Sequence, residues 1–331
     1  MPGSGGEQRT VVGSWFRHRG ECPVCQGTGA RRLLELPYDR GPVYRYLKRY
    51  YEEKGRFEGE YLEGAVYRVV ECARCGLLYQ EFVPTDALLD RVYGVWIDPV
   101  AAAARSEAPR GASVLNLVAE LALLYHWRRG ARLKVLDYGM GHGHWCAMAK
   151  LFGHEVHGFE VEDTRNQNAE NRLGIRVVRY DEIPAGGYDY INSTSVFEHL
   201  PEPLAILKHL SAGLKPGGIV RLAVPDGRRI RRLLGTRDPV FTKGHPRSLN
   251  DIVPLQHLNC FRARSLRQLG LAAGLVPCRP PLRPVIAARQ RWHFPVGFVK
   301  NLGQPLRNTL VDQGTMLHGG GLSLYFVRPK Q

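Results

Sequence analysis

No long apolar run occurs in this sequence. Its most apolar stretch, residues 114–127, is broken by Asn116 and Glu120, which excludes a membrane span there. Residues 1–10 are glycine-rich and polar and lack the apolar segment of a secretory signal. The expectation is a cytoplasmic protein, where paired cysteines hold metal rather than form disulfides. Acidic residues are scarce: 31 Asp and Glu against 46 Lys and Arg leave a formal charge of +15. Yet no basic block with interleaved aromatics dominates. That ranks a nucleic-acid partner below an acidic small substrate, or below an Arg-rich composition without functional meaning. The 331 residues suffice for one large domain and a small one.

One stretch organises the rest: Lys134-Val-Leu-Asp-Tyr-Gly-Met-Gly-His-Gly-His-Trp145. Val135 and Leu136 read as a buried parallel strand that stops at Asp137. Gly139, Gly141 and Gly143 then alternate, and a helical pattern follows (Trp145, Met148, Ala149, Phe152). Strand, glycine turn and helix open a doubly wound α/β domain, whose ligands bind beyond the carboxyl ends of the strands. The dinucleotide fingerprint G-x-G-x-x-G is missing, because the third glycine comes one position early and His144 stands in its place.

The run resembles motif I of the class I S-adenosylmethionine (SAM) methyltransferases, V-L-D-x-G-x-G-x-G. The resemblance implies a Rossmann-like seven-stranded sheet over residues 131–331, with 98–130 as linker and covering helix. It also implies that Asp137, Gly139, Gly141 and Gly143 contact SAM. A second strand over 155–159 ends at Glu160, about 20 positions beyond the first glycine, where such folds hold a ribose diol. A third strand over 175–180 leads to Asp181, which resembles the acid at the adenine amino group; Glu182 is the alternative register. The fourth strand runs from Tyr188 into Val196-Phe-Glu-His-Leu-Pro201. That segment resembles one in ubiquinone-pathway-like methyltransferases and implies that Ser193, Thr194, Ser195 and Phe197 line the site. His199 is then a base or a structural loop histidine.

Leu214-Lys-Pro-Gly-Gly218 is a further hallmark of that family, and a glycine pair there suits a helix cap. Gln256-His-Leu-Asn-Cys-Phe261 and the helix after it resemble the region bordering the family's substrate pocket. In sugar C-methyltransferases with a similar amino-terminal module, a histidine in such a stretch is catalytic. His257 is therefore the first choice for general base, with a structural role as the alternative. Residues 277–316 read as an irregular excursion, and 322–327 as the last strand, completing an antiparallel hairpin.

Residues 1–15 read as disordered. Cys22-Pro-Val-Cys25 and Cys72-Ala-Arg-Cys75-Gly76 supply the four thiolates of a structural Zn²⁺ site in a ribbon-like module over 16–97. Two unrelated or redox-active pairs are the alternative. The insert between them holds a helix over 42–54, either packing on the ribbon or covering a site. The module resembles one that precedes many SAM methyltransferases of sugars and secondary metabolites. The expected function is methyl transfer from SAM to an oxygen, or a carbon, of a small anionic or sugar-like acceptor. An RNA methyltransferase and an inactive zinc-stapled binding module are the alternatives.

Overall fold

The computed structural model describes residues 15–97, 112–235, 239–281, 316–318 and 321–330. Residues 1–14 of the disordered stretch expected over 1–15, residues 98–111 of the linker expected over 98–112 and most of the excursion expected over 277–316 lie outside these. Among the described residues, no helix is long and apolar enough to cross a membrane.

The amino-terminal part holds β1 (Phe16–His18), β2 (Ala30–Pro37), α1 (Gly41–Glu52), β3 (Val66–Cys72), β4 (Leu78–Gln80), β5 (Phe82–Pro84) and α2 (Asp86–Arg91). Then follow α3 (Ala112–Trp127), β6 (Lys134–Tyr138), α4 (His144–Leu151), β7 (Glu155–Phe159), α5 (Asp163–Leu173), β8 (Arg176–Val177), β9 (Tyr188–Thr194), α6 (Pro203–Gly213) and β10 (Leu214–Pro225). The chain closes with α7 (Ile230–Leu233), β11 (Asn259–Cys260), α8 (Ala263–Ala272), β12 (Val276–Cys278), β13 (Met316–His318) and β14 (Gly321–Val327).

The large sheet runs β12-β14-β10-β9-β6-β7-β8, seven strands, with short β13 pairing β14 beside that path. Val135, Leu136, Ile191 and Val220 have no exposed surface, as unbroken apolar runs in a parallel sheet covered on both faces require. β6 pairs in parallel with β7 on one side and β9 on the other. The strand order therefore reverses at β6, and a crevice opens at its carboxyl end. β14 lies antiparallel between β10 and β12, as the expected carboxyl-terminal hairpin requires.

Two expectations need correction. The third strand is only Arg176–Val177, because Tyr180–Ala185, with Pro184 inside, winds into a 3₁₀ turn. The Gly217–Gly218 pair does not cap α6. That helix stops at Gly213, where an added Cβ would lie 2.3 Å from the Ile183 carbonyl oxygen, and Leu214 is already extended. The glycines instead form an irregular entry into β10: the register shifts between Leu214 and Ile219, and Gly217 has φ +78°.

The smaller sheet is antiparallel, in the order β11-β4-β3-β2. Its outermost strand, β11, comes from the carboxyl-terminal half of the chain. Its apolar core is shared in the same way: Leu47, Tyr51, Tyr67 and Trp96 pack with Ile230, Phe241, Ile252 and Leu255. Gln80, fully buried at the end of β4, donates to the carbonyls of Val253 (2.9 Å) and His257 (3.0 Å) and accepts from the Tyr38 hydroxyl. The amino-terminal segment thus fixes the turn that carries His257.

Candidate functional site

Gly139, Gly141 and Gly143 all take positive φ (+78°, +55° and +74°) as the chain leaves β6. A Cβ on Gly139 would stand 2.4 Å from Cγ2 of Val196, whereas one on Gly141 meets nothing within 4 Å. The loop is thus bare backbone, with packed chain behind its first glycine and open space over its second. The Gly141 amide donates to Oε2 of Glu160 at 2.9 Å, so the acid at the end of β7 lies directly against the glycine turn.

Asp137 is buried, and its Oδ1 accepts from Asn192 Nδ2 at 2.8 Å. Asn192 accepts from Arg221, which pairs at 3.0 Å with Glu120 of α3; Trp145 Nε1 donates to the same carboxylate. This network locks the covering helix to the sheet beneath the glycine loop. Sequence reasoning did not find Glu120, Asn192 or Arg221 as partners. The available signal was a charge inside an otherwise apolar helix and another inside an apolar strand.

Burial pushes the Asp137 carboxyl up to about 7. Between the ordinary carboxyl range and that value the native state holds a proton the unfolded chain has released. Stability therefore falls as pH rises through this window. Asp137→Asn is expected to flatten the decline of Tm between about pH 4 and pH 7. Thermal denaturation across that range checks it; an unchanged slope contradicts it.

Other expected residues separate. Thr194 reaches Arg221 (2.9 Å) and faces a cavity, whereas Ser193 is buried on the opposite face of β9, as strand alternation requires. Phe197 packs into the core instead of lining the cavity. Asp181 is exposed on the 3₁₀ turn and ion-paired with Arg179.

The cavity, about 840 Å³, lies between α1, the carboxyl ends of β9 and β10, and the turns over 242–257. Glu198, His199 and His257 share one wall, and the two imidazole centroids are 4.7 Å apart. His199 Nδ1 lies 2.9 Å from the Gln256 carbonyl, an acceptor only, so Nδ1 carries the proton and Nε2 keeps its lone pair. Burial lowers the affinity of both histidines for a second proton, His257 to about 3 with His199 beside it. Both are neutral near pH 7. Glu198 is 1% exposed, and its Oε2 has no hydrogen-bond partner. Ser195 and Leu255, on the two loops that carry these groups, take positive φ (+56° and +66°), a cost non-glycine residues bear where a site demands it. Tyr46, Arg49, Tyr50, Lys54 and Lys243 also line the cavity.

The four cysteines converge elsewhere. Cys22 and Cys75 sulfurs are 3.6 Å apart, Cys25 and Cys72 sulfurs 3.5 Å, and all four lie within 4.8 Å of one another. A tetrahedral ZnS₄ centre with bonds of about 2.3 Å has sulfur edges of about 3.8 Å, so the set fits that ion. The Cys75 amide points at the Cys72 sulfur, and Gly76 turns at φ +73° as its knuckle needs.

The family model described as "Methyltransferase domain" matches residues 93–277. The ubiquinone biosynthesis O-methyltransferase of Xanthomonas campestris is 34% identical over 105 residues, 28% of this chain and 43% of that protein. The enzyme of the same name from Acinetobacter baumannii is 29% identical over 99 residues, 26% of this chain and 41% of that protein. The chain thus matches about two fifths of the length of these curated relatives. A solved 1,6-didemethyltoxoflavin-N1-methyltransferase from Burkholderia thailandensis is similar at 17% identity, covering 65% of this chain and 79% of its own, with a TM-score of 0.39. The family match takes in the glycine turn, Glu160, the two histidines and more than half of the sequence: this chain belongs to the methyltransferase-domain family.

Proposed function

We propose that the protein transfers a methyl group from SAM to an oxygen, or an acidic carbon, of a small anionic or sugar-like metabolite. The observation that carries this reading is one juxtaposition. The glycine turn closes on Val196, and three residues further along the same loop His199, with His257 from a second loop, faces a cavity of acceptor size. SAM, when bound, supplies a sulfonium-activated methyl carbon. Asp137, the three glycines and Glu160 are the groups assigned to hold it, with Glu160 on the ribose and Asp181 near the adenine.

The remaining work falls to the chain itself: orient the nucleophile in line, exclude water and accept a proton. His199 has the better-defined base, because the Gln256 carbonyl fixes its tautomer and leaves Nε2 free. His257, held by Gln80 through the backbone, crowds the same space. Arg49, Lys54 and Lys243 favour an anionic acceptor, and the stacked Tyr46 and Tyr50 offer it an apolar surface. The four cysteines are assigned to a structural Zn²⁺ that staples the smaller sheet.

His199→Ala and His257→Ala are each expected to lower turnover by about 100-fold or more while leaving SAM affinity unchanged. Steady-state kinetics beside SAM calorimetry checks this. Retained turnover in both variants removes the histidines from the chemistry.

A further inference from the structure

We infer that Glu198, His199 and His257 form a second divalent-cation site, in the wall of the acceptor cavity and separate from the four thiolates. The inference goes beyond methyl transfer; only the coordination of an acceptor at this cation rests on the reading above.

One ligand atom from each of the three side chains lies within 4.8 Å of the others. Atoms sharing a cation at about 2.0–2.2 Å sit no more than about 4.4 Å apart, so small side-chain adjustments close the set. Two atoms on this wall have no partner: Oε2 of Glu198 and Nδ1 of His257. A buried carboxyl oxygen left without a hydrogen bond is costly, and a cation satisfies it directly. His199 has the arrangement typical of a metal ligand: one ring nitrogen donates to a backbone carbonyl, and the other presents a lone pair 4.0 Å from the Glu198 carboxylate. Gln80 fixes the backbone at His257 from the far side, so the third ligand is held on a rigid element.

Two imidazoles and one carboxylate suit Zn²⁺, Co²⁺, Mn²⁺ or Fe²⁺ better than Ca²⁺. Three protein ligands leave open positions toward the cavity, where acceptor oxygens can bind. Such a cation lowers the pKa of a hydroxyl it holds. An imidazole cannot use one lone pair both as ligand and as base. With the cation bound the two histidines would serve as ligands in place of the base role given to His199 above, and the hydroxyl would give its proton to water as it binds, before methyl transfer.

Co²⁺ titration of the full chain carrying its structural metal tests the site by visible absorption. One further equivalent is expected, with ligand-field bands and no thiolate charge-transfer band. Glu198→Gln and His257→Asn should each weaken it by about tenfold or more. Thermal melts and SAM calorimetry on each variant show that the fold and cofactor binding persist. Absence of the extra equivalent in protein that still binds SAM overturns the site and leaves the methyltransferase reading standing. An extra equivalent with thiolate bands, or one unchanged in both variants, overturns it as well.

Discussion

Gly139→Ala is expected to lose SAM binding and to reduce kcat/KM by about 100-fold or more. Two costs add. The backbone at φ +78° is a left-handed conformation that penalises a Cβ by about 1–2 kcal/mol. That Cβ would also stand 2.4 Å from Cγ2 of Val196, well inside contact distance. Val196 cannot retreat freely, because its loop continues into buried Phe197 and Glu198 and then His199. The displacement therefore reaches both sides of the site. Gly141→Ala is the built-in comparison: φ is positive there too, but the added methyl meets nothing within 4 Å. It should cost the strain alone, with any loss beyond that measuring obstruction of the ligand. Gly139→Ala combined with Val196→Ala should recover part of the deficit. Equal losses in the two single glycine variants, or no recovery in the double variant, would show that the Val196 contact is not what makes the first glycine necessary.

The second large effect concerns the cysteines. Cys72→Ser is expected to abolish stoichiometric zinc and to unfold the chain as a whole. Structural zinc contributes about 10–16 kcal/mol in small zinc modules, as much as a typical domain's entire stability. Here the consequence spreads, because Cys22, Cys25, Cys72 and Cys75 pack in one apolar cluster with Leu136, Ile191, Phe197 and Phe261. That cluster runs beneath the glycine loop. The smaller sheet also takes β11 from the other half of the chain. Metal analysis with thermal denaturation should show zinc and SAM binding lost together in one transition. A variant that loses zinc yet binds SAM normally would make the module an appendage.

Sequence alone carries much of this architecture, because its strongest signals are local. The glycine alternation at 139, 141 and 143 demands positive φ within five residues, and the two cysteine knuckles each close within four. The acid at Glu160 was legible from its distance along the chain. What escaped depends on partners far apart in sequence. Gln80 reaches His257 across 177 positions, and nothing near either residue announces the pairing. The same holds for the addition of β11 to β4, which ties the amino-terminal segment to the turn bearing the site histidine. The Lys-Pro-Gly-Gly run reads as a cap in the sequence, since its glycines follow a helix. The helix ends earlier, at Gly213, with Leu214 already extended two residues before Pro216, and the pair belongs to the strand entry. Ser193 and Thr194 looked equivalent as neighbours, yet alternation along β9 sends only Thr194 to the cavity.

Isothermal titration of SAM into the purified protein addresses the central claim, that the bare turn after β6 and the acid at the end of β7 make an adenosyl-sulfonium site. The account predicts saturable binding of one equivalent, competed by S-adenosylhomocysteine and not by NAD. Failure to bind SAM in folded protein, or competition by a nicotinamide dinucleotide, would contradict it.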